Sequence, residues 1–211
     1  MAKPRIGLFG GSFNPIHNGH LHLMSAAKEQ LQLEQVILLP ARVSPFKQHQ
    51  TDMVSAANRY AMCQLAVEDF SDCRVDDFEL QQKGVSYSLF SARHFSTCFP
   101  NHQLIWLMGS DMFLQFQQWY HWEEFLEYAA LGVLARSDAD QEKIAIQQER
   151  LSPYGTIFLC EAPVSTVFST KIREKCKKTR KFFLLFAAKS STIYHITWIL
   201  QRRSDEKGII T

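Results

Sequence analysis

The chain has 211 residues, 46% apolar and 21% charged, with a formal net charge of +2. That length suits one domain burying roughly 70% of the surface its unfolded form exposes, and the composition excludes a disordered tail or a fibrous repeat. The small net charge gives no global argument for a nucleic-acid or membrane partner, although residues 171–211 carry eleven Lys or Arg against three acids. Apolar runs such as 182–188 fall well short of a membrane span, which needs about 18 residues. The N-terminal MAKPRIGLFGG is a short polar lead into a strand rather than an export signal. The five cysteines are odd in number and form no CxxC pair. The expectation is a reduced, cytoplasmic protein with neither a nucleic-acid nor a membrane partner. The sequence leaves a homo-oligomer open.

Residues 6–9 are a short apolar run ended by Gly10 and Gly11, a buried strand meeting a loop. Helical spacing follows over 19–33, then an apolar run at 36–39 stopped by Pro40. Such continuous runs suit strands covered on both faces, as in parallel sheets. A polar loop carries Pro45 and Lys47, and Thr51 or Asp52 is the expected cap of a helix running to Val67. The spacing predicts a strand over 75–80, a helix over 87–99 and a strand over 104–108. A helical region over 112–128, a strand at 131–135, a polar helix over 138–151 and a strand at 156–160 follow. A last helix starts near Ser169. Strands alternating with helices predict an α/β fold, doubly wound and Rossmann-like, with a mainly parallel sheet and helices on both faces.

The stretch GGSFNPIHNGH (10–20) carries the most chemistry. It lies at the carboxyl end of a strand, where open parallel sheets bind ligands. Gly10 and Gly11 let the backbone approach a bulky anion, and the following helix offers free N–H groups and a positive dipole end to phosphate. His17 and His20, three residues apart, can face one phosphate group; as an isolated pair they would read equally as structural histidines. No Gly-Lys-Ser/Thr follows, so this is not a Walker A loop, and it is not a GxGxxG fingerprint. HxxH without a nearby acidic or Cys ligand is a poor zinc site.

This stretch resembles the T/HxGH signature of the nucleotidyltransferase superfamily. Within it the chain is similar to the bacterial nicotinate-nucleotide adenylyltransferases. SPFK (44–47), NRYAM (58–62), GVSYS (84–88), GSDMFLQFQQWYHW (109–122) and FSTKIR (168–173) resemble further family stretches in the same order. The resemblance implies transfer of AMP from ATP to nicotinate mononucleotide, giving deamido-NAD and pyrophosphate, with Mg2+ bound through the ATP phosphates. The nearest alternatives are adenylyl transfer to nicotinamide mononucleotide or phosphopantetheine, or an inactive nucleotide-binding relative.

By that resemblance His17, His20 and Arg173 are the catalytic residues. ATP is expected to meet Gly10, Gly11, Ser12, Phe13, Gly109, Asp111, Ser169 and Thr170 as well. The nicotinate nucleotide is expected to meet Asn14, Lys47, Ser88, Trp119 and Tyr120, with Trp119 stacked on the pyridine ring. Read without the family, Asp111 is equally a helix N-cap and Lys47 equally a solvated surface lysine, while Trp119 reads as a core residue ahead of a ligand platform. Asn14 stands where many relatives carry Asp, Phe90 where Asp is frequent, and Phe168 where the first Ser of S-S-T is expected. The catalytic domain is expected to span 1–173, followed by an atypical basic segment at 174–211, either packed on the same domain or disordered.

Overall fold

The computed structural model describes residues 3–48, 51–135, 141–161 and 168–179, the last five as backbone. Strands β1 (Arg5–Gly11), β2 (Leu33–Pro40), β3 (Cys73–Val75), β4 (Gln103–Gly109), β5 (Ala130–Ala135) and β6 (Ile157–Glu161) form one sheet. Its order is β3-β2-β1-β4-β5-β6 and every neighbouring pair is parallel. The helices are α1 (Asn18–Leu31), α2 (Ala56–Val67), α3 (Phe78–Gln81), α4 (Ser88–Cys98), α5 (Ser110–Phe113), α6 (Trp122–Tyr128), α7 (Gln141–Leu151) and α8 (Ser169–Thr179). This is the expected doubly wound α/β architecture. No described helix is long and apolar enough to cross a membrane.

The apolar strand runs supply two cores at once. Val36 and Leu38 of β2, with Ile105 and Leu107 of β4, face a core built on α1 and α2. Their neighbours Ile37, Leu39, Leu104, Trp106 and Met108 face the opposite core, built on α4, α6 and α7. Side chains alternate across a strand, so a strand covered on both faces needs apolar residues at successive positions.

Local chemistry moved several boundaries. The segment expected as a strand over 75–80 pairs only as Cys73–Val75, then turns into α3. There the Asp76 carboxylate accepts from the Phe78 N–H at 3.0 Å and the Asp77 carbonyl accepts from the Leu80 N–H at 2.8 Å. An Asp side chain that captures a backbone donor two residues on favours a turn over a ladder. Helix α2 is capped by Ser55, whose Oγ accepts from the Asn58 N–H, and not by Thr51 or Asp52. The helix expected over 112–128 is broken into α5, a 3₁₀ turn (Phe116–Gln118) and α6, with His121 left-handed at φ 48°. Helix α1 ends at Leu31 because Gln32 is left-handed at φ 52°, and β2 begins one residue later. The start expected for α7 at Asp138, and most of the 174–211 segment, lie outside the described residues.

At the carboxyl end of β1 the backbone passes over Trp106, and a Cβ on Gly10 would overlap that indole. Trp106 is 2% exposed and packs edge-on against Trp119 and Phe125, so it has little room to retreat. Gly10→Ala is therefore expected to cost about 1–3 kcal/mol through overpacking. Denaturant unfolding of variant and wild type measures this.

Candidate active site

Because the strands are parallel, all their carboxyl ends meet at one edge of the sheet. Strand β1 lies between β2 and β4, where the chain order reverses and the loops to either side splay apart. A cavity of about 640 Å³ opens there. The structure brings Gly10, Gly11, Ser12, Phe13, His20, Lys47, Ser88, Gly109, Asp111, Trp119, Tyr120 and Ser169 to its wall. Asn14, His17, Thr170 and Arg173 are not on that wall.

His17 is the N-cap of α1 and His20 stands in its first turn, with ring centroids 3.8 Å apart. The backbone N–H of His17 donates to His20 Nδ1 at 3.2 Å. A neutral imidazole that accepts at Nδ1 carries its proton on Nε2, and the His20 ring lines the cavity. Phe13 holds φ 41°, uncommon for a bulky residue. Its ring packs edge-on against Phe9 and His20 at 5.6 and 5.2 Å, which fixes the imidazole from behind.

Asn14 and Arg173 join the loops instead. Asn14 is 2% exposed; its Oδ1 accepts from the Val54 N–H at 3.0 Å and its Nδ2 donates to the Asp52 carbonyl. Arg173 donates from Nε to the Asp52 carboxylate at 3.0 Å, from Nη1 to the Asn14 carbonyl at 2.8 Å and from Nη2 to Thr170 Oγ1. Ser169 Oγ donates to the Pro15 carbonyl at 3.0 Å. The start of α8 is thereby fastened to the β1–α1 loop over 154 residues of sequence separation.

On the far wall Gly109, and not Asp111, occupies the N-cap of α5, which leaves the Asp111 side chain exposed beside the cavity. Trp119 serves as core and wall together: it packs on Trp106, Phe116 and Phe125. Its indole N–H is buried without a hydrogen-bond partner among the described residues. Tyr120 is exposed and lies 4.5 Å from the Tyr87 ring, with Phe90 alongside. Desolvation, then the positive Arg173 and Arg59, lowers the Lys47 pKa, while Asp111 opposes the shift.

Arg59, Asp52, Glu79 and Ser86 were absent from the sequence-derived site. Arg59 is 1% exposed, yet it stands on the inward stripe of α2 with Met62, Cys63 and Ala66. A charge on an apolar stripe was the available signal. Glu79 fell in the presumed strand. It is 4% exposed, lines the cavity and has its pKa pushed up to about 7 by burial, against hydrogen bonds from Ser91 and Ser86 and the charge of Arg59. A carboxyl raised from 4.5 to about 7 contributes stability that is complete below the lower value and lost as pH rises through the upper one. Relative to Glu79→Gln, the wild type is therefore expected to lose up to about 3 kcal/mol of stability between pH 4.5 and 8, read from paired unfolding curves.

A model of the cytidylyltransferase-like family matches residues 8–175. A probable nicotinate-nucleotide adenylyltransferase of Clostridium tetani is 33% identical over 81% of this chain and 86% of its own. One from Methylacidiphilum infernorum is 34% identical over 86% and 84%. The fold also resembles the Plasmodium falciparum nicotinic acid mononucleotide adenylyltransferase complexed with NaAD. That likeness has TM-score 0.69 at 18% identity and covers 92% of this chain and 94% of that one. On the strength of the family match and this identity over most of its length, the chain belongs to the cytidylyltransferase-like family and, within it, to the nicotinate-nucleotide adenylyltransferases.

Proposed function

We propose that this chain transfers AMP from ATP to nicotinate mononucleotide, releasing pyrophosphate and forming deamido-NAD. One observation carries the reading at the level of chemistry. A single cavity has a phosphate-type wall, made of the Gly10–Gly11 turn and His20, and an aromatic wall, made of Trp119 and Tyr120. The names of the relatives supply the substrates.

The acceptor phosphate oxygen attacks the α-phosphorus of ATP, and the bond to the bridging oxygen of the β-phosphate breaks. Such a reaction asks the protein for alignment and charge stabilisation more than covalent help. His20 Nε2–H donates to the phosphate that gains charge, held in place by the His17 N–H behind it. The first turn of α1 adds its backbone donors. Arg173 now binds the Asp52 carboxylate, so a phosphate that recruits it competes with that carboxylate. Asp111 is placed to accept from ribose hydroxyls. Ser88, in the first turn of α4, stands at a positive dipole end facing the cavity, which favours a nicotinate carboxylate over a neutral amide.

Among the described residues, Asp111 and Glu79 are the carboxylates on the wall, and the Glu79 group is engaged by Ser91. Described His, Cys, Asp and Glu side chains do not gather in threes as a metal site. This donor set would suit a Mg2+ ion carried in and held by the ATP phosphates rather than by a cage of protein carboxylates. Bound there, it would supply neutralisation of phosphate charge.

With ATP and Mg2+, pyrophosphate release is expected with nicotinate mononucleotide and far less with nicotinamide mononucleotide or phosphopantetheine. Release with either alternative acceptor alone, or ATP binding without turnover, would replace this reading. His20→Ala is expected to lower kcat by about 10²–10³ with the fold retained, as for loss of one charge-stabilising donor; circular dichroism checks the fold.

A further inference from the structure

Arg59 and Glu79 are the buried charged side chains among the described residues. Arg59 spends its donors on carbonyls: Nη1 to Ser12 at 2.7 Å, Nε to Val54 at 3.1 Å and Nη2 to Arg42 at 3.3 Å. Carbonyls satisfy its hydrogens but leave the charge uncompensated, and a buried charge needs a partner. Glu79 is near enough that each group favours the charged form of the other. Its carboxylate accepts from Ser91 Oγ at 2.8 Å, and the nearby Ser86 hydroxyl favours its charged form. Ser86 Oγ in turn accepts from the Arg42 N–H at 2.9 Å, while its own N–H donates to the Val43 carbonyl. Arg42 is thus gripped from both sides, its carbonyl by Arg59 and its N–H by Ser86. Two residues beyond Ser86, helix α4 begins at Ser88 on the cavity wall.

We propose that Glu79 is a positioning residue for the acceptor nucleotide: by holding Ser91 in the first turns of α4 it sets Tyr87 and Ser88 against the cavity. This rests on reading the cavity as the nicotinate mononucleotide site. Glu79 acts through Ser91 and needs no contact with the reacting phosphates. The ATP side hangs on Arg59 through the Ser12 carbonyl, so loss of the Glu79 charge falls first on the acceptor side. Glutamine at this position puts an NH2 group where a serine hydroxyl donates and removes the charge that faces Arg59.

The test varies each substrate separately on the full chain. Glu79→Gln is expected to raise KM for nicotinate mononucleotide by about tenfold or more, leaving KM for ATP and kcat within about twofold, as for loss of a hydrogen bond to a charged group. Ser91→Ala keeps the carboxylate, removes one donor and is expected to move the same KM by a smaller factor. A folded Glu79→Gln with both KM values unchanged, or raised equally, overturns the proposal. If Glu79→Gln does not fold, Ser91→Ala decides by the same criterion. Calorimetric binding of nicotinate mononucleotide separates this proposal from the reaction it rests on. A wild type that binds the nucleotide without turning it over loses the reaction alone, and the variant-to-wild-type Kd ratio then reads the Glu79 role. A wild type that does not bind overturns both.

Discussion

The pairing of β1 with β2 on one side and β4 on the other is the constraint from which the site follows. Parallel strands deliver all their carboxyl ends to one edge, and successive connections must leave to opposite faces where the order reverses. The crevice is a by-product of that topology, and the residues that line it leave the ends of different strands. Gly10 has to lack a side chain there because Trp106 of the adjacent strand fills the space beneath it. The same indole supports Trp119 from the other direction. One core residue therefore sets both the phosphate-facing turn and the aromatic wall.

Around the crevice, polar side chains do what the sheet cannot. The loops after β1 and β2 and before α2 are irregular, and their carbonyls and N–H groups need partners when buried. Arg59 takes three of those carbonyls, Asn14 ties its own loop to Asp52 and Val54, and Arg173 brings α8 onto the Asn14 carbonyl. Lys47 lines the cavity beside them. Positive groups thus gather around a space opened by the backbone, an arrangement suited to a polyphosphate. The desolvation that depresses the Lys47 pKa and raises that of Glu79 shows the same low-polarity setting acting on opposite charges.

Much of this fold was legible because β1, β2, β4 and β5 are continuous apolar runs that only a doubly covered strand explains. The failures were local. Around Asp76 and Asp77 the sequence suggested a strand, but the Asp76 carboxylate captured the Phe78 N–H two residues on. Within 112–128 the apolar spacing was helical, yet the left-handed His121 re-aimed the chain so that Trp119 and Tyr120 could face the cavity while Phe125 faced the core.

The sequence by itself determined the layered α/β architecture, the phosphate-type turn at Gly10–His20 and the family, since strand periodicity and short motifs are local properties of the chain. Only the tertiary structure decided what each motif residue touches. Asn14, expected by resemblance to meet the nicotinate nucleotide, is tied to Asp52 and Val54, and Arg173 meets Asp52 across 121 residues. Arg59 and Glu79 became visible once α2 and α3 were folded against the same loops. Burial and charge pairing arise between segments distant in sequence, so neither leaves a pattern that spacing along one chain can carry.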